Sequence, residues 1–150
     1  MDKYKVILVD DEAEVIDVIE QKIAWNELGF EVVGSATNGV KALELVEKTQ
    51  PDVVITDIKM PYMDGLELSK RLNDDYRNIH IIIFTGFDEF EYAKEAVHLE
   101  VEEYMLKPIN SDELTECLKR VKNSLDLERE EKLNVQKLEN YFNDVLPILQ

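Results

Sequence analysis

The sequence is poor in several things at once. It holds one cysteine, Cys117, in 150 residues. No internal disulfide can form, and a lone thiol agrees with a reducing compartment. Only two histidines, His80 and His98, stand beside it, so zinc and haem patterns are missing. There are five glycines (Gly29, Gly34, Gly39, Gly65 and Gly86), and none falls into G-x-G-x-x-G or a P-loop. That removes the usual phosphate cradles of nucleotide binders. No apolar run is long enough to span a bilayer. The start, MDKYKVILVDD, is a charged lead into a strand rather than a signal peptide, so a cytoplasmic location is expected. Bases are scarce: 17 Lys and Arg stand against 33 Asp and Glu, a net charge of -16. Such a surface repels nucleic-acid phosphates and anionic lipids, so these residues are not expected to bind DNA or membrane themselves. It suits a hard cation or a basic partner.

What is present is a core-forming composition, 45% hydrophobic, with room for one domain and an extra element. Short β-branched runs alternate with helical periodicity. The runs are YKVILV (4–9), FEVVGSA (30–36), VVIT (53–56), IHIIIFT (79–85) and EEYML (102–106). Between them, apolar residues recur at helical spacing: Val15, Ile16, Ile19 and Ile23; Leu43 and Val46 after a cap at Asn38; Leu66, Leu68 and Leu72 from about Gly65; and Phe90, Ala93, Ala96 and Val97. Ser111 is placed as the N-cap of a last helix. Five βα repeats predict an α/β fold, a doubly wound parallel sheet with helices on both faces. Runs such as VILV and IIIF are apolar at consecutive positions, as strands covered on both faces must be. Right-handed crossovers bring all strand C-termini to one edge, where ligands of such sheets bind.

From about Asp126 the pattern changes. Turn residues and strands stop, and a seam through Leu114, Leu118, Val121 and Leu125 extends toward Val135, Leu138, Phe142, Val145 and Leu149. The spacing predicts a domain over 1–125 and a coiled-coil-like helical linker over 126–150, with a break at Glu128 and Lys132 as an alternative. The linker holds six acids and three bases, so it is not a basic arm. Its apolar ending, LPILQ, reads as a fragment leading into a further domain.

The polar residues at the strand ends form a constellation. Strand one ends in Asp10 and Asp11, strand three in Asp57, strand four in Thr85, and strand five is followed by Lys107 and Pro108. Singly, each has an ordinary role: a helix cap, a turn acid, a strand-end threonine, a solvated lysine. Together, on one sheet edge and from segments far apart, they are better explained by one shared site. Three clustered carboxylates repel, and a divalent cation relieves the repulsion. An all-oxygen donor set selects Mg²⁺ or a similar ion. Cation, ammonium and hydroxyl can then share the three oxygens of a phosphoryl group, with an aspartate carboxylate as nucleophile.

The stretches VDDE (9–12), TDIKMPYMDG (56–65), FTG (84–86) and YMLKPI (104–109) resemble the receiver domain of two-component response regulators, over about residues 4–125. The resemblance implies a flavodoxin-like sheet of order 2-1-3-4-5. It implies Asp57 as phosphoacceptor, Asp11 as a direct Mg²⁺ ligand, Asp10 acting through water and the Lys59 carbonyl as backbone metal ligand. Thr85 becomes the switch hydroxyl, Lys107 the phosphate-contacting lysine before a cis Pro108, and Tyr104 the switch aromatic. Lys59 and Phe87 would flank the site and tune phosphoryl lifetime. WNELGFEVVGSATNG (25–39) and TGFDEFEYAKEAV (85–97) are similar to regulators with an AraC-type helix-turn-helix output domain, here expected beyond Gln150.

The expected function is therefore phosphoryl acceptance from a sensor histidine kinase, with signalling rather than enzymatic turnover. Homodimerisation is expected through the C-terminal helix, or through the face made by the 90–97 helix, strand five and the helix from Ser111. The alternatives are a haloacid dehalogenase-type phosphohydrolase, whose strand-one D-x-D pattern VDDEA lacks, and a scaffold that works without phosphorylation.

Overall fold

The structure is a computed structural model that describes residues 2–76, 78–86 and 101–149, with side chains to 146. The helix expected around 90–97 and the flanking Phe87 lie outside the described residues. Five strands form one sheet: β1 (Tyr4–Val9), β2 (Phe30–Ala36), β3 (Val53–Asp57), β4 (His80–Thr85) and β5 (Glu103–Leu106). All pairings are parallel and the order is β2-β1-β3-β4-β5. The order reverses between β1 and β3. A crevice opens at the C-terminal ends of these two strands.

The described helices are α1 (Ala13–Lys22), α2 (Trp25–Leu28), α3 (Gly39–Thr49), α4 (Gly65–Asp75) and α5 (Ser111–Leu149). Side-chain alternation splits the core into two layers. Val6, Leu8, Ile55, Ile82 and Phe84 face α1 and α5, where Ile16, Ile19, Leu114 and Leu118 close over them. Ile7, Val9, Val54, Ile81 and Ile83 face α3 and α4, meeting Ala42, Val46, Leu68 and Leu72. Thus the interior runs Val6–Val9, Val53–Ile55 and Ile81–Phe84 are apolar at every position because both faces are covered.

Local chemistry sets the helix ends. Asn38 caps α3 by accepting from the Lys41 N–H at 2.9 Å, as the sequence predicted. Asp64 caps α4, accepting from Glu67 N–H at 2.8 Å. The cap of α5 is a correction. Asn110, not Ser111, accepts from Glu113 N–H at 3.0 Å, and Ser111 is the first helical residue. The Asn110 carbonyl also takes the Leu114 N–H, so the residue before Ser111 satisfies the first turn. The short α2 carries no periodicity of its own; Trp25 is buried and its indole N–H donates to the Glu20 carbonyl at 3.1 Å. Cys117 is buried in the α5 core layer, where desolvation, aided by Glu103, pushes its thiol up to about 12.

The helix α5 runs unbroken for 39 residues, with no interruption at Glu128 or Lys132. Its first part is core: Leu114, Cys117, Leu118, Val121 and Leu125 are all buried. Where it leaves the sheet it is fastened from two sides. The Tyr4 hydroxyl donates to Asp126 at 2.5 Å, and the Arg129 guanidinium lies 4.6 Å from the Tyr4 ring centre. On β4, His80 places Nδ1 against Glu102 and Nε2 3.0 Å from Glu128. No helix among the described residues is long and apolar enough to cross a membrane.

Candidate functional site

The acidic pocket sits where β1 and β3 end. β1 stops at Val9, which puts Asp10 and Asp11 at the strand mouth; β3 carries Asp57 as its last residue. One carboxylate oxygen from each of Asp10, Asp11 and Asp57 lies within 4.8 Å of the others. Lys107 arrives from the loop after β5, beside a cis bond to Pro108. Its ammonium is 3.0 Å from Asp10 and 3.2 Å from Asp57. Four of the residues singled out in the sequence therefore share one pocket.

They are not equivalent. Asp10 is 3% exposed and sits behind the opening, accepting from the Glu12 N–H at 2.9 Å as well as from Lys107. Neither aspartate caps α1, whose N-cap is Glu12. Asp11 is exposed and borders an open cavity of about 500 Å³ together with Glu12, Asp57, Lys59, Gly86 and Lys107. Asp57 is 8% exposed yet reaches this cavity. Its own carboxylate accepts from the Ile58 N–H at 2.8 Å.

The electrostatics are unbalanced. Burial and the nearby Asp10 raise the Asp57 carboxyl above its ordinary value, while Lys107 and the Ile58 N–H pull the other way. Lys107 is raised: the contacts with Asp10 and Asp57 outweigh the loss of water around it. Three carboxylates outnumber the one ammonium that touches Asp10 and Asp57, and they converge at a solvent-reachable cavity that Lys59 also lines. That donor set, all oxygen and partly open, fits a hard divalent ion.

The other expected residues are near but not joined to the acids. Thr85 ends β4, one strand over from Asp57, and is fully buried. Its hydroxyl donates to the Gly86 carbonyl at 3.1 Å. Tyr104 pairs with Ile83 across β5 and β4, and packs on the α3–α4 side of the core. Its hydroxyl is buried and finds no hydrogen-bond partner among the described residues. Sequence reasoning missed the part played by Gly65. A Cβ there would lie 2.1 Å from the Asp57 carbonyl oxygen, and the Gly65 N–H donates to the Ile58 carbonyl at 2.6 Å. The chain returns so closely under the pocket that only glycine fits. The Asp-Gly pair in the sequence signalled a turn, not this contact.

The fold and pocket together define a doubly wound α/β domain with a carboxylate–lysine site at its switch point. Comparison with known proteins makes this specific. Residues 6–119 match the response regulator receiver domain model. The chain is 43% identical over 118 residues to the transcriptional regulatory protein YesN of Bacillus subtilis, covering 79% of this chain and 32% of that protein. It is 37% identical over 123 residues to the transcriptional regulatory protein HptR of Staphylococcus aureus, covering 81% and 48% respectively. Among solved structures, the receiver domain of the response regulator AraT from Geobacillus stearothermophilus aligns with a TM-score of 0.80 at 44% identity, over 84% of this chain and 98% of that one. A two-component transcriptional regulator AraC from Clostridium phytofermentans aligns at 0.79 and 30% identity, over 85% and 98%. The chain belongs to the response regulator receiver domain family, the signalling modules of two-component systems. It spans between a third and a half of the length of the curated relatives it matches.

Proposed function

We propose that Asp57 is the phosphoacceptor of this receiver, and that the donor is the phosphohistidine of a sensor kinase. A carboxylate oxygen of Asp57 attacks phosphorus, the N–P bond breaks, and an acyl phosphate forms. The observation that carries the reading is the Asp57 carboxylate, bordered by Asp10, Asp11 and Lys107 and open to the cavity. Asp11, Asp57 and the Lys59 carbonyl would hold a Mg²⁺, with Asp10 acting through water. Bound there, the ion would neutralise charge on the transferring phosphoryl group. Lys107 supplies a second positive charge from the opposite flank. A groove of about 500 Å³ beside Lys107, lined by Val15, Val18, Pro108 and Ile109, offers a protein donor an apolar grip next to the acid.

The phosphoryl group would add charge that Thr85 and Lys107 can both reach. Turning the Thr85 hydroxyl from Gly86 toward it would open room for the Tyr104 ring. The Tyr104 hydroxyl, buried and without a hydrogen-bond partner among the described residues, supports that reading, because such a group favours a second position. Residues 1–125 would form the receiver, and 126–150 a helical linker to an output domain. The names of the relatives support transcription control, through an AraC-type output. A second copy of the chain is the proposed partner, with no direct nucleic-acid contact by these residues. The cytoplasm is the proposed setting.

The test is labelling by a small phosphodonor such as acetyl phosphate. Label should appear on the chain with Mg²⁺, vanish with chelator, and be absent from Asp57→Ala. Undiminished uptake by that variant would refute the assignment.

A further inference from the structure

The loop from β3 to α4 carries a backbone outlier beside the acid pocket. Tyr62 has a φ of 70°, a left-handed conformation that is uncommon for a bulky side chain. The Met63 N–H donates to the Pro61 carbonyl at 2.8 Å, which closes a three-residue turn with Tyr62 at its centre. With a positive φ at the centre, such a turn is the rare and strained form. The ring is not buried in return. Tyr62 is 90% exposed, more than any other large hydrophobic side chain among the described residues.

The chain on either side is held firmly. Met60 and Met63 are 8% and 9% exposed, and both belong to the core layer under α3 and α4. Just beyond, the Asp64 side chain caps α4, and the Gly65 N–H holds the Ile58 carbonyl. A strained residue persists only where its surroundings over-determine it, and strain of this kind gathers at sites that bind or switch.

We infer that Tyr62 is an apolar anchor for the phosphodonor protein, gripping it from the β3–α4 loop beside the phosphoacceptor. This rests on the reading of Asp57 as that acceptor. Two considerations select the occupant.

The first is continuity. Lys59, Met60 and Pro61 of this loop line the cavity that holds Asp57, and Lys107 lines it too. Lys107 also borders the apolar groove of Val15, Val18 and Ile109. Groove, Lys107, acid cavity and loop therefore run together, with Tyr62 next to Pro61 at the end. A body that touches both the groove and the Tyr62 ring lies over the cavity and Asp57. The protein that must come to that place is the one that delivers the phosphoryl group. A small phosphodonor needs only the cavity.

The second is the form in which the ring is presented. A tyrosine offers a large, stiff apolar area, and such aromatics dominate the energetics of interfaces. Here the backbone beneath it is fixed before any partner arrives, so less ordering remains to be done on binding.

The experiment compares two donors to the 150-residue chain with Mg²⁺: acetyl phosphate, and an autophosphorylated sensor kinase, chosen from a panel as the one that labels the unsubstituted chain fastest. Tyr62→Gly should raise the KM of the chain as kinase substrate about tenfold and leave kcat little changed. Its labelling by acetyl phosphate should be unaltered. Its urea midpoint should hold or rise, since glycine takes this backbone without strain and no buried contact is lost. Tyr62→Phe, which keeps the ring, should accept from the kinase as the unsubstituted chain does. Unchanged kinase transfer in Tyr62→Gly would overturn the proposal. So would an equal fall with acetyl phosphate, which would put the ring's effect on the pocket, or a lowered urea midpoint, which would make the ring part of the fold. A loss in Tyr62→Phe as large as in Tyr62→Gly would overturn the apolar grip. The phosphoacceptor reading fails by a different result, label retained in Asp57→Ala.

Discussion

Two clusters of carboxylates sit at opposite ends of the same sheet, and they are built on opposite principles. At the C-terminal edge, Asp10, Asp11 and Asp57 converge, and Asp10 and Asp57 share one ammonium, Lys107. At the N-terminal edge, Glu102 and Glu128 share one imidazole, His80, with a carboxylate on each ring nitrogen. The second cluster joins the start of β4 to the exit of α5. In the first, buried acid exceeds the ammonium beside it, and the excess faces a cavity. One cluster leaves charge at an opening, whereas the other spends its contacts on tying two elements together.

The sharpest way to break this contrast is to remove the side chain that each cluster shares. Lys107→Ala strips Asp10 and Asp57 of the ammonium that touches them both. Urea unfolding at neutral pH should show a loss of about 2 kcal/mol, because two largely buried carboxylates are left facing each other. Millimolar Mg²⁺ should restore part of this, since binding to the folded state alone stabilises it. A loss that Mg²⁺ leaves untouched would mean that the acids do not form a cation site.

His80→Ala should cost less, about 1 kcal/mol, since Glu102 and Glu128 keep access to water. Mg²⁺ should do nothing for it, and Asp57 labelling should be unchanged. Hydrogen exchange should quicken around Glu128 while the buried segment from Leu114 to Val121 stays protected. If labelling fell with His80, the two ends of the sheet would be coupled rather than separate.

The smallest effect has the opposite sign. The Asp57 carboxyl titrates higher in the folded protein than in the unfolded chain. Stability associated with its protonated form is present below the unfolded value and is lost as pH rises through the folded one. Asp57→Asn mimics the neutral form. Without Mg²⁺ it should therefore raise the urea midpoint at neutral pH, by less than His80→Ala lowers it, and change nothing in strong acid. A constant difference across pH would point to packing instead of charge.

Much of this was legible residue by residue. The runs VILV, VVIT and IIIF are covered on both faces as their composition requires, and Asn38 caps α3 as its place before the periodic segment suggests. Asp10, Asp11, Asp57 and Lys107 were legible because alternating βα units force all strand C-termini to one edge. Other features were not. The cap of α5 moved from Ser111 to the neighbouring Asn110, since two adjacent residues of similar capping power are separated only by where the chain turns. Gly65 read as a turn residue because its close approach to Asp57 involves a strand end that local patterning does not bring near. His80 gave no signal at all: its partners lie 22 and 48 positions away.

The sequence by itself determined the alternation of strands and helices, the sheet edge that carries the acids, and the heptad spacing of α5. These are short-range properties, written in periods of two and of three to four residues. Tertiary structure alone decided which apolar stripe of α5 meets the sheet and which is left to solvent, and it alone set Asp57 against Asp10 while tying His80 to the helix exit. Periodicity says that a face is apolar and a side chain charged. Only the packing of distant segments says what that face or charge is set against.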